Sequence, residues 1–360
     1  GRFVYAGGVA NSKSMPLTKD EIEDIKAECF ANDVTYNFEV LKDWDEEKVR
    51  DFFESGGGGE GSAPSSVVPT DGPDPFKEDM PKEVQWRMNA DRTVAVITLN
   101  RPEAKNAIDG SIDSGIRLSI ARVKCTPSIR VVFLTGNGAM FCAGGDPKGF
   151  QQAQASSKTP APDSDGMTEN DKSASAFAQM LADLNGLPAY TVGLANGSAM
   201  GGGFGFLCCC DCVIARKTAF FALSEVKLGV IPATISPYVV AKIGPSNARR
   251  MFMTGETVNV EKAKEIGLVQ EIVDSPEALV KEAQKICDVM LLAAPGAVAA
   301  AKNLVRNVQY KPITPELMEY TAGELAAVRK TEEMTGGMAA VQAGKKPPWA
   351  AVGKLAFPPA

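Results

Sequence analysis

Between residues 84 and 290 the chain alternates short, nearly unbroken apolar runs with longer amphipathic ones. T-V-A-V-I-T-L (93–99), V-V-F-L-T (131–135), T-V-G-L-A (191–195) and C-V-I-A (212–215) are too short for helices and rich in β-branched residues. They predict strands. Residues 111–124 and most of the chain after residue 237 carry the spacing of helices instead. Strand–helix alternation of this kind predicts an α/β fold with a parallel or mixed sheet. The stretch 151–175 is rich in Gln, Ser, Pro and Asp, and predicts a loop that covers a site.

The pattern changes character toward both ends. Residues 1–54 form an acidic appendage with two helical segments. One opens at Thr18, with Glu21 three residues on as in a capping box. The other puts Trp44, Val49, Phe52 and Phe53 on one face. This zone is too small for a strong core of its own, so it reads as a protein-docking element or a solvated appendage. Residues 55–83 are dense in Gly, Ser and Pro and read as a flexible linker. Residues 84–290 form the core of the main domain, and 291–360 a C-terminal helical region.

Composition narrows the chemistry. The chain of 360 residues has a net charge of −6, which argues against nucleic acid or anionic lipid as a partner. No apolar stretch is long enough to span a membrane. Residues 1–14 hold two basic and no acidic residues, which fits the remnant of a transit peptide. Histidine is absent, which removes Ser-His-Asp and Cys-His catalysis and imidazole metal sites. Acid–base work falls to Asp, Glu, Lys, Tyr or Cys. Cys208, Cys209, Cys210 and Cys212 lie too close together for a disulfide framework or a zinc site. They read as apolar fillers in a reducing compartment, either cytosol or organelle matrix.

Two glycine-rich turns each follow a predicted strand: G-A-M-F-C-A-G-G-D-P-K (138–148) and N-G-S-A-M-G-G-G-F-G (196–205). Neither has dinucleotide or P-loop spacing. Together they can aim two backbone N–H groups at one point, which makes an oxyanion hole. Either turn alone is also what tight packing requires.

With L-N-R-P-E-A-K-N-A-I (99–108), F-C-A-G-G-D-P-K (141–148), A-N-G-S-A-M-G-G-G (195–203) and A-F-F-A-L-S-E-V-K-L-G-V-I-P (219–232), the chain resembles the enoyl-CoA hydratase/isomerase, or crotonase, family. Later blocks at 253–269 and 336–349 agree. The likeness covers roughly 84–350. It implies a ββα spiral core with a C-terminal helical oligomerisation region, and an acyl-CoA substrate. It also implies a homotrimer or hexamer, and no cofactor beyond the coenzyme A or acyl-carrier-protein thioester.

Residue by residue, the resemblance implies Gly145 and Gly202 as oxyanion donors and Glu225 as the catalytic carboxylate. Hydratases of the family carry a second glutamate where this chain has Gly205. Its absence implies room for a branched or glutaconyl-type acyl group. The wording around G-G-G-F-G and 222–239 is similar to the methylglutaconyl-CoA hydratase-like subgroup, and Tyr238 in that block is a further candidate to line the substrate. The lack of histidine argues against the decarboxylating branch. Lys148 and Lys105 are candidates for the CoA end, and Lys345 and Lys346 for the CoA of a neighbouring subunit. A single carboxylate also suits an isomerase, and a catalytically weak docking subunit is the remaining alternative.

Overall fold

The computed structural model describes residues 80–149 and 168–351. The acidic appendage (1–54), most of the linker and most of the loop expected at 151–175 lie outside the described residues.

Six strands form the main sheet: β1 (Val84–Met88), β2 (Val94–Leu99), β3 (Val131–Gly136), β5 (Tyr190–Ala195), β7 (Cys212–Arg216) and β10 (Glu271–Val273), in that spatial order. The β1–β2 pair is antiparallel and the other pairs are parallel. A smaller sheet of three-residue strands stacks β4 (Met140–Cys142), β6 (Ser198–Met200), β8 (Phe220–Ala222) and β9 (Thr257–Asn259).

All six residues of β2 are buried, because helices cover both faces of the sheet. Alternation then sends Ala95, Ile97 and Leu99 into one core and Val94 and Val96 into another. The first core takes in helices α1 (Gly110–Lys124), α2 (Glu169–Asn185) and α3 (Gly202–Cys209). It also holds part of α4 (Ser236–Thr254), which kinks at Gly244 and Pro245, and of the short α5 (Val260–Glu265). The second core is capped by α6 (Pro276–Met290) through Leu279, Ala283 and Cys287. Three helices follow: α7 (Pro295–Val308), α8 (Pro315–Val328) and α9 (Glu332–Gln342). This is the α/β architecture expected, with the helices concentrated at the C-terminal end.

One local expectation needs correction. Residues 169–175 are the first turns of α2, not loop. Thr168 accepts from Asp171 N, and the Asp171 carboxylate accepts from Thr168 N, a capping box that starts the helix before its apolar face begins. After residue 237 helices dominate as expected, with two short strands among them. T-V-N and E-I-V form β9 and β10, strands too short to show a period.

The cysteine-rich run does pack as filler. Cys208, Cys209, Cys210 and Cys212 are buried, unpaired, and held protonated by burial, which pushes Cys210 up to about 12. Among the described residues no acidic, cysteine or histidine cluster is arranged to hold a metal ion. Asp211 has a different task. Its Oδ2 accepts from Thr191 N and Oγ1 at 2.8 Å each and from Lys302 Nζ at 2.7 Å. The Lys302 side chain, only 9% exposed, thereby ties α7 to the sheet. Removing one partner of a buried pair leaves the other charge stranded. Lys302→Met should therefore lower stability by about 3 kcal/mol, and Asp211→Asn/Lys302→Met should recover part of that, as read from urea unfolding.

Candidate active site

The first glycine turn leaves β4 at the carboxyl end of the main sheet. It is stitched to residues 105–108 by three hydrogen bonds. Ala143 N donates to Lys105 O at 3.0 Å, Ile108 N to Gly144 O at 2.7 Å, and Asp146 N to Ile108 O at 2.9 Å. Ile108 and Gly145 thus form an isolated parallel bridge in which the Gly145 N–H faces away from the partner segment. Gly144 has φ +90°, and a Cβ there would lie 2.9 Å from Met200 O. Only glycine fits both demands.

The second turn runs from β6 through Gly201, at φ +48°, into α3. The two turns touch: a Cβ on Gly203 would sit 2.6 Å from Cys142 Cβ and 2.7 Å from its carbonyl oxygen. Gly202 opens α3, so its N–H has no acceptor within the helix and sits at the positive end of the helix dipole. Among the described residues neither the Gly145 nor the Gly202 N–H has a hydrogen-bond acceptor.

Glu225 starts the 3-10 turn Glu225–Leu228 after β8. Its Oε1 lies 3.0 Å from where a Gly201 Cβ would be, and the same Cβ would be 3.8 Å from Gly144 Cα. The carboxylate therefore stands against both turns. Its Oε2 is buried and has no hydrogen-bond partner. Burial raises the Glu225 pKa, and a hydrogen bond with its own backbone opposes this in part. A carboxyl group left unmatched and shifted upward at the junction of two turns has the character of a proton-transfer site. Donors free to take charge on an oxygen and an acid/base within one small region suit enolate chemistry.

The other candidates divide. Lys105 and Lys148 are exposed and attached to the first turn, Lys105 by its carbonyl and Lys148 through its N–H to Asp146 Oδ1 at 2.9 Å. Tyr238, in α4, is half-buried against the first core, and burial raises its pKa. Lys345 and Lys346 are exposed just beyond α9. The segment that follows them is tied by Trp349 O to Arg130 Nη1 at 2.8 Å, at the amino end of β3. Within one chain they do not approach the glycine turns.

Gly205 needs a correction. The position is buried, and a Cβ there would lie 2.2 Å from Ile235 Cγ2. Ile235 is 2% exposed. The space released by the missing glutamate is filled by an isoleucine side chain and is not left open for an acyl branch. Ile235 escaped the sequence reading because its partner is thirty positions away. Asn106 escaped too, although it lies in a quoted block. It is fully buried at φ +55°, and its amide donates to the carbonyls of Asn137, Met140 and Phe141. A polar residue amid turn residues gives no hint that it will be wholly enclosed.

The profile of the enoyl-CoA hydratase/isomerase family matches residues 89–351. The chain belongs to this family. A carnitinyl-CoA dehydratase of Proteus mirabilis is 32% identical over 262 residues, 71% of this chain and 95% of that protein. An enoyl-CoA hydratase of Alternaria alternata is 30% identical over 213 residues, 59% of this chain and 66% of that protein, just under two thirds of its length. Among solved structures, an enoyl-CoA hydratase from Shewanella pealeana superposes with a TM-score of 0.68 at 30% identity, covering 74% of this chain and 96% of that one. The crotonase architecture of the main domain agrees with this assignment.

Two consequences are measurable. The raised Glu225 pKa means that ionisation costs the folded state more than the unfolded one. Its contribution to stability is complete below the unfolded carboxylate value and is lost as pH rises through the raised one. Glu225→Gln should match the native protein in urea midpoint near about pH 4 and exceed it near about pH 7. Gly205→Ala should destabilise by about 1–3 kcal/mol through overpacking, with part regained in Gly205→Ala/Ile235→Ala, as read by thermal or urea unfolding.

Proposed function

We propose that this chain is an enoyl-CoA hydratase or dehydratase acting on a branched or glutaconyl-type acyl thioester, with Glu225 as its single acid/base. The observation that carries this reading is the partnerless, buried Oε2 of Glu225 against two glycine turns whose Gly145 and Gly202 N–H groups are unengaged.

In the dehydrating direction Glu225 removes the α-proton of a 3-hydroxyacyl thioester. The electron pair moves onto the thioester oxygen, where the Gly145 and Gly202 N–H groups stabilise the enolate. Collapse of the enolate expels the β-hydroxyl, which takes the proton back from Glu225 and leaves as water. Hydration is the reverse. The carrier, coenzyme A or an acyl-carrier protein, is the only accessory group the scheme requires.

The branched class is supported by the likeness of 222–239 to the methylglutaconyl-CoA hydratase-like subgroup, and the glutaconyl type by the missing second carboxylate. Two like charges about 4 Å apart repel by roughly 4 kcal/mol at an effective dielectric near 20. Gly205 and Ile235 put no charge there, which tolerates a substrate that brings its own carboxylate. Lys148 and Lys105 are exposed beside the first turn and suit the CoA phosphates. Lys345 and Lys346 suit the CoA of a neighbouring subunit.

A homotrimer or hexamer fits helices that have little to bury against in one chain. No residue of α8 is buried, and Ile313, Met318, Leu325 and Val341 are exposed. Among the described residues no single helix is long and apolar enough to cross a membrane. A reducing compartment, cytosol or organelle matrix, and a docking role for the acidic N-terminal region complete the proposal.

The test is incubation with 3-methylglutaconyl-CoA, crotonyl-CoA and a 3-enoyl-CoA, with products followed by mass. The expected result is a product one water heavier from the first, with lower kcat/KM for crotonyl-CoA. Glu225→Gln should lower kcat by at least about 10²-fold with CoA-ester affinity retained. Conversion of the 3-enoyl thioester without hydration would favour the isomerase, for which a single carboxylate suffices. Turnover of none of the three would favour a docking subunit.

A further inference from the structure

Arg101 contacts no catalytic atom, yet it is bonded to the residue that follows Gly145. Its Nη1 lies 2.7 Å from Asp146 Oδ2 and 3.2 Å from Ala107 O, and its Nε is 3.3 Å from Asp109 Oδ2. The two partners are mostly enclosed, with side chains 19% and 11% exposed. Their titration is mutually displaced. The hydrogen bond to Asp146 raises the Arg101 pKa, and the same bond lowers that of Asp146. The Asp146 N–H is bonded to Ile108 O, so its backbone and side chain are both anchored to the 101–109 segment. Arg101 N in turn donates to Asn106 Oδ1 at 2.8 Å, and the Asn106 amide holds the carbonyls of residues 137, 140 and 141.

We propose that Arg101 is a positioning residue for the reaction, clamping Asp146 so that the peptide carrying the Gly145 N–H is held in its charge-stabilising orientation. The proposal rests on the oxyanion reading of Gly145. The peptide before Gly145 follows Gly144 at φ +90°, a conformation without a side chain to restrain it. Rotation of that peptide is opposed by the bond from Ile108 N to its own carbonyl, by Gly144 N on Cys142 Sγ and by the bonds of Asp146, among which the Arg101–Asp146 pair joins two side chains. A misplacement of about 1 Å in such a donor can cost on the order of 10²-fold in rate. The guanidinium can meet Asp146, Asp109 and Ala107 O together because its donors form a rigid fork, which lysine lacks.

The probe is butyryl-CoA labelled with 13C at the carbonyl, which binds without reacting across a double bond. Two readouts are taken: the vibrational red shift of the bound carbonyl, and the rate of α-proton exchange into D2O. In the native protein both should be present. In Arg101→Met the red shift should fall by about half or more and exchange should slow about tenfold or more, with the Kd for butyryl-CoA changed less than about threefold. Arg101→Lys should lie between. Asp146→Asn, which keeps shape but loses charge, should follow Arg101→Met and replaces it if that variant does not fold. An unchanged red shift in Arg101→Met, or in Asp146→Asn, while stability falls would overturn the clamp and leave the oxyanion reading standing. Absence of any red shift in the native protein would overturn both.

Discussion

The close approach of two backbone turns is the constraint on which the rest of this structure depends. Gly144 lies against Met200 O and Gly203 against Cys142, at separations where a single Cβ on either would collide. That approach brings the start of α3 beside the end of β4, and Glu225 beside both. The small sheet of β4, β6 and β8 exists in the same place because its parallel strands lead into these turns. Glycine there is a steric requirement of the site, and the apolar β2, β3 and β5 form the rigid platform from which the turns project.

The surroundings of the turns are satisfied with care, which makes the exception informative. Asn106 uses its amide on three carbonyls, that of Asn137 in the β3–β4 connection and those of Met140 and Phe141 in β4. Asn196 accepts from Gly136 N at 3.0 Å and donates to Gly138 O at 2.9 Å, so the end of β5 is fastened to the same connection. Cys142 Sγ accepts from Gly144 N. Against this background the unmatched oxygen of Glu225 and the unengaged N–H groups of Gly145 and Gly202 stand out. Among these satisfied neighbours a donor pair and an acceptor are left open at one junction. Unmet polar groups cost stability, and active sites are where that cost is tolerated.

Much of the candidate site is legible in the sequence, for a physical reason. Backbone donors at close approach need glycines in sequence-local clusters, and a carboxylate set by a short turn keeps its neighbours in the same cluster. Gly144–Asp146, Gly201–Gly203 and Ser224–Glu225 are therefore visible as blocks. The strands were legible because parallel strands buried on both faces are apolar throughout. β9 and β10 were not, since three residues carry no period. The helical start at Thr168 was masked by polar residues that its exposed first turns place toward solvent.

What the sequence by itself determined is the α/β class, the glycine turns and Glu225, because each rests on local steric or chemical demands. The tertiary structure alone decided what fills the place of the absent glutamate. Ile235, at the N-cap of α4, reaches Gly205 of α3, and no spacing rule connects them. It likewise decided that Lys345 and Lys346 lie away from the turns of their own chain. It decided, too, that Arg101 and Asp146 form a pair across forty-five positions. Contacts between distant segments depend on how elements pack in three dimensions, and that information is carried by no single stretch of the chain.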